Sequence, residues 1–421
     1  MPVIKQPKLS ILACLALGLA SQTATAAGPY SLTDLGTLSG PVSTSYGLNN
    51  AGTVVGSSDT ARGASHATAW GGGARRDLGT LGGSYSVAHD INNAGVMAGW
   101  AGLPGDTASR ATLWQGGTPT PLGTLGGSYA AAYGINNRNQ AVGVASTAGD
   151  AAGRATLWNG QRAQDLGTLG GTYGSAYDIN DRGRVVGYSS IAGNAASHAT
   201  LWEGGRAIDL GTLGGSGSSA QAVNSGGLVA GSSDLAGDRT QHATLWRNGA
   251  IVDLGALSSD GMSSALGINA RGQVVGYSGS AFGGRPNATL WEDGRIIDLN
   301  TLVKSSDPNF LLYQASDIND FGQIAAVGLT GDFQTHAYLL TPTFTTRSAD
   351  ELLAATALAK DVAGDGAGMP LDDTFAADAG AVPEPASLAL LAMGLLALLG
   401  ARRSSDRRLA QRPALHRLAS F

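Results

Sequence analysis

The sequence is built on one unit that recurs seven times with a period close to 44 residues. Each unit carries, in the same order, recognisable forms of Asp-Leu-Gly, Ile-Asn, Val-Gly and Ala-Thr-Leu-Trp. The aromatic residue that ends the last of these marks is Trp70, Trp114, Trp158, Trp202, Trp246, Trp291 and finally Tyr338. The asparagines of the second mark are Asn49, Asn92, Asn136, Asn180, Asn224, Asn269 and Asn319. A period of this length with four short apolar runs is the size of a four-stranded propeller blade.

One unit, residues 172–211, shows the four predicted strands. They cover residues 175–180, 184–188, 198–202 and 206–210, and the two tight turns between them contain glycine. The first strand is rich in Ala, Gly and Ser, which suits the crowded axis of a ring. The fourth carries Arg and Asp, as exposed edge strands often do. We therefore expect the first strand to be innermost and the fourth outermost.

The ends of the repeat region indicate a closed ring. Residues 30–35 form a fourth strand without its first three, whereas the last unit ends at residues 336–340 without a fourth strand. One blade would then be shared by both termini, which removes the open edges of an unclosed array. The prediction is an all-β, seven-bladed β-propeller of four-stranded blades. An open solenoid is the alternative, but it would need atypical capping repeats, and none is visible.

The segments outside the repeats have the character of targeting signals. Residues 1–26 have two lysines, an apolar run and the small-residue site Ala24-Thr25-Ala26, which predicts a secretory signal peptide with a signal helix. The single cysteine, Cys14, lies within that run, in a context that only loosely resembles a lipoprotein box. The predicted organisation continues with the propeller at 27–340 and an acidic flexible linker at 341–381, which has a short helix at 348–362. A hydrophobic helix within a sorting segment at 382–403 and a basic cytoplasmic tail at 404–421 complete it.

The net charge of −5 conceals an uneven distribution. Without the first 26 and last 21 residues the chain has 18 basic and 30 acidic residues, a net charge of −12. A body of that charge is expected to avoid nucleic acid and anionic lipid.

The repeat also resembles a known family. His198-Ala199-Thr200-Leu201-Trp202, followed by Asp209-Leu210-Gly211-Thr212-Leu213-Gly214-Gly215, is similar to the HAF extracellular repeat, whose members usually have Phe in place of Thr200. The resemblance covers residues 30–340. It implies an extracellular repeat protein and assigns no activity to particular residues.

A second resemblance lies near the C-terminus. Val382-Pro383-Glu384-Pro385-Ala386, an apolar run to Ala401 and the pair Arg402-Arg403 look like the PEP-CTERM sorting signal of Gram-negative bacteria. This implies recognition by an exosortase, cleavage near Pro-Glu-Pro and transient insertion in the inner membrane. The 16 apolar residues span about 24 Å as a helix, which is short for a core of roughly 30 Å. A permanent tail anchor is the alternative.

Residues present in every blade are expected to make the fold, because a catalytic group is needed only once. The position just before the Ala-Thr-Leu-Trp mark is filled in every unit, so we expect its residues to be structural. They are His66, Arg110, Arg154, His198, His242, Asn287 and His336. Asp106, Asp150, Asn194 and Asp238 also repeat, and we expect them to form Asx turns, with calcium as the alternative. The sequence predicts no catalytic residue, no metal site and no cofactor.

Aromatic residues on one face are the candidates for ligand binding. Tyr85, Tyr129 and Tyr173 occupy equivalent positions in successive inter-blade loops, and Trp100 is the only tryptophan outside the series. Exposed aromatic rings there are able to stack on sugars; the alternative is that the tyrosines only cover the junctions between blades. The predicted function is a non-enzymatic surface scaffold, at the cell envelope or in the exopolysaccharide matrix, that binds glycan or protein. The alternatives are a propeller polysaccharide lyase or hydrolase and a purely structural envelope component.

Overall fold

The structure of the chain is a computed structural model that describes residues 30–281 and 283–343. The predicted signal helix, the helix at 348–362 and the C-terminal hydrophobic helix all lie outside these residues. Within them the chain forms seven four-stranded antiparallel sheets. The prediction of an all-β, seven-bladed propeller is confirmed.

The strands are numbered in chain order. The first is β1 (Tyr30–Asp34). Blade 1 contains β2 (Ser43–Leu48), β3 (Val54–Asp59), β4 (Ser65–Gly71) and β5 (Ala74–Asp77). Blade 2 contains β6 (Ser86–Ile91), β7 (Met97–Gly102), β8 (Ser109–Gln115) and β9 (Thr118–Pro121). Blade 3 contains β10 (Gly126–Ile135), β11 (Gln140–Thr147), β12 (Gly153–Asn159) and β13 (Arg162–Asp165).

The remaining blades follow the same order. Blade 4 contains β14 (Gly170–Ile179), β15 (Val185–Ile191), β16 (Ser197–Glu203) and β17 (Arg206–Asp209). Blade 5 contains β18 (Gly214–Val223), β19 (Val229–Leu235), β20 (Gln241–Arg247) and β21 (Ala250–Gly255). Blade 6 contains β22 (Gly261–Ile268), β23 (Val274–Ser280), β24 (Asn287–Glu292) and β25 (Arg295–Asp298). Blade 7 contains β26 (Leu311–Ile318), β27 (Ile324–Leu329), β28 (Thr335–Pro342) and, from the other end of the chain, β1.

Blade 7 closes the ring. Its strand order is β1-β28-β27-β26, so the fourth strand comes from the start of the propeller and the other three from its end. The antiparallel register places Tyr30 opposite Pro342 and Leu32 opposite Leu340. This is the predicted shared blade, and it excludes the open solenoid.

The repeated tryptophans pack between neighbouring blades. Trp114 of blade 2, for example, is 1% exposed and belongs to one apolar cluster with Val55 and Ala67 of blade 1. A buried indole contributes roughly 150–250 Å² of contact area, which makes it the largest single element of each inter-blade core. The six tryptophans thus have the structural role predicted for them. The expectation that Tyr338 is the seventh member is wrong, because Leu340 pairs with Ile324 as Trp202 pairs with Val185, and Tyr338 takes the position of Thr200.

The glycine of the Val-Gly mark allows a close approach of two strands. A Cβ on Gly143 would collide with the carbonyl oxygen of Ala131 on the innermost strand, next to a shift in strand register. The equivalent residue in blade 7 is Ala326, and there β26 has a second register shift, between Leu312 and Gln314. A residue with a Cβ at this position therefore requires a changed register in the innermost strand.

The repeated asparagines form a continuous hydrogen-bonded ring around the axis. The Asn136 side-chain oxygen accepts from the backbone N–H groups of Arg138 and Gln140, which closes the tight turn. Its Nδ2 donates to the backbone carbonyl of Asn180 in the next blade at 3.2 Å. All seven asparagines donate in this way, and Asn319 completes the circle by donating to the carbonyl of Asn49. The Ile-Asn mark is thus explained by inter-blade hydrogen bonding.

Candidate functional site

The strand order gives the ring two distinct faces. The tight turns between first and second strands, and between third and fourth strands, lie on one side, which we call the turn face. The inter-blade links and the longer loops between second and third strands lie on the other side, which we call the loop face. Loops displayed on a rigid scaffold are a common place for binding residues.

A pocket of about 420 Å³ lies on the loop face above blade 2. Tyr85, Trp100 and Tyr129 line it, so the structure brings together three of the four predicted aromatic residues. The side chains of Tyr85 and Tyr129 are 47% and 41% exposed. We call this cavity the blade-2 pocket. Tyr173, at 48% exposure, occupies the equivalent place in the next blade and does not line the pocket.

Polar groups in the wall of the blade-2 pocket lack partners. The Ser109 hydroxyl is buried, lines the pocket and has no hydrogen-bond partner among residues 30–281 and 283–343. Asp106 accepts the Ser84 N–H at 2.8 Å through Oδ1, and its Oδ2 accepts no hydrogen bond within the described residues. In blade 3 the equivalent Asp150 uses both oxygens, because Ser128 donates to it through N–H and hydroxyl.

A repeated side-chain contact to an aspartate on the loop side is missing only from blade 2 among the described residues. The alternating His or Arg position contacts an aspartate 11 residues later, as in His198–Asp209 at 2.8 Å and Arg154–Asp165 at 2.9 Å. His66, His242 and His336 make the same pair, with Asp77, Asp253 and Asp34. Asn287 donates to Asp298 in the same arrangement.

Blade 2 has Pro121 in place of that aspartate. Arg110 therefore has no carboxylate partner among the described residues and donates through Nη1 to the carbonyls of Ser109 and Ser128. Both of those residues line the blade-2 pocket. An arginine without a counter-ion lies directly behind the pocket wall.

The axial channel holds a second group of candidate residues. On blades 1 to 4 the innermost strands present Tyr46, His89, Tyr133 and Tyr177, whose successive ring centroids lie 4.9, 5.0 and 5.6 Å apart. A Tyr129–Tyr133 hydroxyl contact of 3.3 Å connects this arc to the blade-2 pocket. Burial lowers the pKa of His89 to about 4, so its ring is neutral at physiological pH.

Three aspartates, Asp90, Asp178 and Asp317, share a channel cavity of about 110 Å³ with the aromatic arc. Each accepts the N–H of the residue that follows it and an N–H from the next blade; Asp90, for example, bonds Ile91 and Ile135. Burial, together with neighbouring carboxylates, raises the pKa of each to about 7. The three side chains remain partly exposed to the channel.

These carboxylates were not among the predicted site residues. The signal that could reveal them is a departure from the repeat two positions before the asparagine, where the other four blades have Gly47, Gly134, Ala222 and Gly267. Those small residues leave room for the neighbouring aspartates, because a Cβ on Gly47 would lie 2.8 Å from the Cα of Asp90.

The repeated Asp106, Asp150, Asn194 and Asp238 hold loops in place. All four have left-handed φ values of 53–57°, and each Oδ1 accepts a backbone N–H from 22 residues earlier in the chain. Among residues 30–281 and 283–343, no group of three or more His, Cys, Asp or Glu side chains has the geometry to hold a metal ion. The same residues contain no helix of the length and apolarity that crossing a bilayer requires.

Comparison with known proteins identifies one motif outside the ring. The PEP-CTERM protein-sorting motif matches residues 381–404, which include the predicted processing residues from Val382 to Arg403. The sequence matches none of the curated proteins with which it was compared.

Similar solved structures are remote. TolB from Acinetobacter baumannii has 11% identity and a TM-score of 0.40 over 69% of this chain and 63% of its own, so the chain spans less than two thirds of it. AofleA from Arthrobotrys oligospora has 10% identity and a TM-score of 0.33 over 64% of this chain and 88% of its own. A triple mutant of AofleA has 10% identity and a TM-score of 0.36 over the same shares of the two chains. The chain is thus a seven-bladed β-propeller protein with a PEP-CTERM motif, which implies export, transient membrane anchoring of the precursor and processing by an exosortase.

Proposed function

We propose that the protein is a non-enzymatic binding scaffold of the cell envelope or extracellular matrix, and that the blade-2 pocket binds a saccharide. The resemblance of the repeat to the HAF extracellular repeat, together with the PEP-CTERM motif, supports the extracellular location. Exposed Tyr85 and Tyr129 with Trp100 offer flat apolar surfaces for the C–H faces of a sugar ring. The pocket, at about 420 Å³, has the volume for one or two sugar residues.

One observation carries this proposal: beside the blade-2 pocket, Arg110 lacks the carboxylate that Arg154 has in blade 3, and Asp106 lacks the second donor that Asp150 has. The Ser109 hydroxyl in the same wall is buried without a partner among the described residues, and such a group is costly unless a ligand or water satisfies it. The Ser109 hydroxyl, the free oxygen of Asp106 and the guanidinium of Arg110 supply donors and acceptors around the aromatic walls. Sugar hydroxyls would satisfy them.

The test is saccharide binding by the wild-type chain and a Trp100→Ala, Tyr129→Ala variant, first on a glycan array and then by calorimetry on the best ligand. We expect the variant to lose at least tenfold in affinity, because stacking on one aromatic ring contributes about 1 kcal/mol or more. Tyr173→Ala is the matched control, since that tyrosine is equally exposed and lies outside the pocket. Unchanged binding in the double variant would refute the site.

The channel carboxylates favour a second candidate function, a polysaccharide lyase or hydrolase. A carboxyl group with a pKa near 7 is suited to general acid catalysis at neutral pH. However, both oxygens of each carboxylate already accept backbone N–H groups, which is what a purely structural role requires. Release of reducing ends from the producer's own polysaccharide, lost in Asp178→Asn, would favour the enzyme; no release favours the scaffold.

Exosortase processing would remove the C-terminal segment near Pro383-Glu384-Pro385. We expect the mature protein to end close to Glu384, without the apolar run and the basic tail. Mass spectrometry of the mature C-terminus distinguishes this from a retained tail anchor, which would leave residues 385–421 in place.

A further inference from the structure

Charge is divided between the two faces of the ring. The turn face carries ten arginines and five acidic residues between residues 30 and 343. Four of the arginines, at the inner turns, are Arg138, Arg182, Arg184 and Arg271. Six more, at the outer turns, are Arg75, Arg76, Arg162, Arg206, Arg247 and Arg295. The loop face has the opposite balance, with fourteen aspartates against five arginines and one lysine. The negative net charge therefore conceals a basic surface.

The arginines of the turn face are available for contact. Nine of the ten are exposed, and the exception, Arg184, forms the only ion pair described on this face, with Glu203 at 2.6 Å. Arg138 and Arg271 extend over the turns of the following blades, close to Gly183 and Gly322. Their guanidinium groups thus lie over the inner turns of blades 4 and 7.

The chain leaves the ring on this same face. β28 runs toward the turn face and ends at Pro342, where Gln323 of the blade-7 turn donates to the Thr341 hydroxyl at 3.3 Å. Phe321, two residues before Gln323 in the same turn, is 62% exposed, and Arg271 reaches the neighbouring Gly322. The sorting motif follows at residues 381–404.

We propose that the turn face docks on an anionic phospholipid membrane. Guanidinium groups bind phosphate oxygens with two parallel hydrogen bonds, and aromatic side chains are favoured at the membrane interface. The acidic loop face, with the blade-2 pocket, would then point away from the bilayer. This surface is separate from the proposed saccharide site and does not depend on it.

The test uses the full chain, held in vesicles by its own C-terminal segment, in a Cys14→Ser background. A single cysteine replaces Ala270 on the turn face or Ala61 on the loop face; both alanines are exposed. Each is labelled with a fluorophore, and the vesicles contain a lipid-borne quencher. In phosphatidylcholine vesicles with phosphatidylglycerol we expect strong quenching at position 270 and little at 61. In pure phosphatidylcholine the difference should disappear, and high salt should remove it. Equal quenching at 270 in both lipids would overturn the proposal.

Charge-matched variants distinguish an effect of the turn-face arginines from an effect of net charge. Each arginine near an anionic surface is worth roughly a fivefold change in the docking equilibrium, so Arg138→Gln, Arg182→Gln, Arg271→Gln should weaken it about 100-fold. The control removes three exposed loop-face cations, Arg62, Arg239 and Lys304, and should leave docking unchanged. Equal loss in both variants would overturn the proposal. Binding of alginate through the same arginines, without lipid-dependent quenching, would assign the face to an acidic polysaccharide and also overturn it.

Discussion

The three channel aspartates should make the ring less stable at neutral than at mildly acidic pH. Their folded-state pKa of about 7 lies above the ordinary value of 3.8, so the folded protein holds these protons more tightly than the unfolded chain. Their contribution is fully present below about pH 4 and is lost as the pH rises to about 7. Asp90, Asp178 and Asp317 should together depress stability across that window.

The size of the effect follows from the shift and the exposure. A shift of about 3 pH units corresponds to about 4 kcal/mol for one fully buried group. The side chains face channel water, which screens the charges, and the three carboxylates share their mutual repulsion, so the three shifts do not simply add. We expect the three together to lower the free energy of unfolding by about 2–4 kcal/mol between pH 4 and pH 7.

The assay is urea unfolding of the full chain, followed by tryptophan fluorescence from pH 4 to pH 8. The variant Asp90→Asn, Asp178→Asn, Asp317→Asn has a fixed cost, since each new amide group faces a backbone N–H, but that cost does not vary with pH. Its stability should therefore decline less than that of the wild type over this range. Equal pH slopes in the two proteins would refute the reasoning.

A charge-matched variant controls for net charge. Asp59→Asn, Asp260→Asn, Asp332→Asn removes three loop-face carboxylates outside the channel. It should keep the wild-type slope, and a reduced slope there would assign the effect to net charge.

Three other changes test the repeat geometry. Gly143→Ala should cost about 2–4 kcal/mol in urea unfolding, because its Cβ meets a strand carbonyl, whereas the control Ala326→Gly should cost about 1 kcal/mol or less; similar costs would contradict this account. Pro121→Asp should give Arg110 the carboxylate that the other blades have and so weaken saccharide binding in calorimetry without lowering Tm; unchanged affinity would remove Arg110 from the site. Deletion of β1 should expose the edge of β28 and lower Tm, and an unchanged Tm would mean that closure contributes little.

Much of the fold could be predicted because each blade repeats the same pattern of strand and turn residues. The outer strand of blade 4, predicted at 206–210, spans Arg206–Asp209. Its innermost strand, predicted to begin at residue 175, begins at Gly170, because Gly170 pairs with Ile191 beyond a register shift. Such a shift depends on the neighbouring strand and has no signature within the inner strand itself.

The candidate site was only partly predictable, for a similar reason. The aromatic residues were found because connectivity alone places Tyr85, Trp100 and Tyr129 on one face. The loss of the carboxylate partner of Arg110 requires the register of β8 and β9, and the meeting of Asp90 with Asp178 requires knowing how many blades surround the channel. These relations arise between strands and between blades, so a single unit does not contain them.

The closure of blade 7 determines when the ring can finish folding during export. Tyr30 and Pro342 are opposite each other in the finished ring but are separated by nearly the whole propeller in the chain. If the chain crosses the membrane from its N-terminus, β1 arrives first and its partner strand last. Closure of the ring then depends on the pairing of β1 with β28, which are very far apart in the sequence, and such contacts form slowly. The sorting motif follows β28 in the chain, so a precursor held in the membrane by its C-terminus has time to join the two ends of the propeller before release.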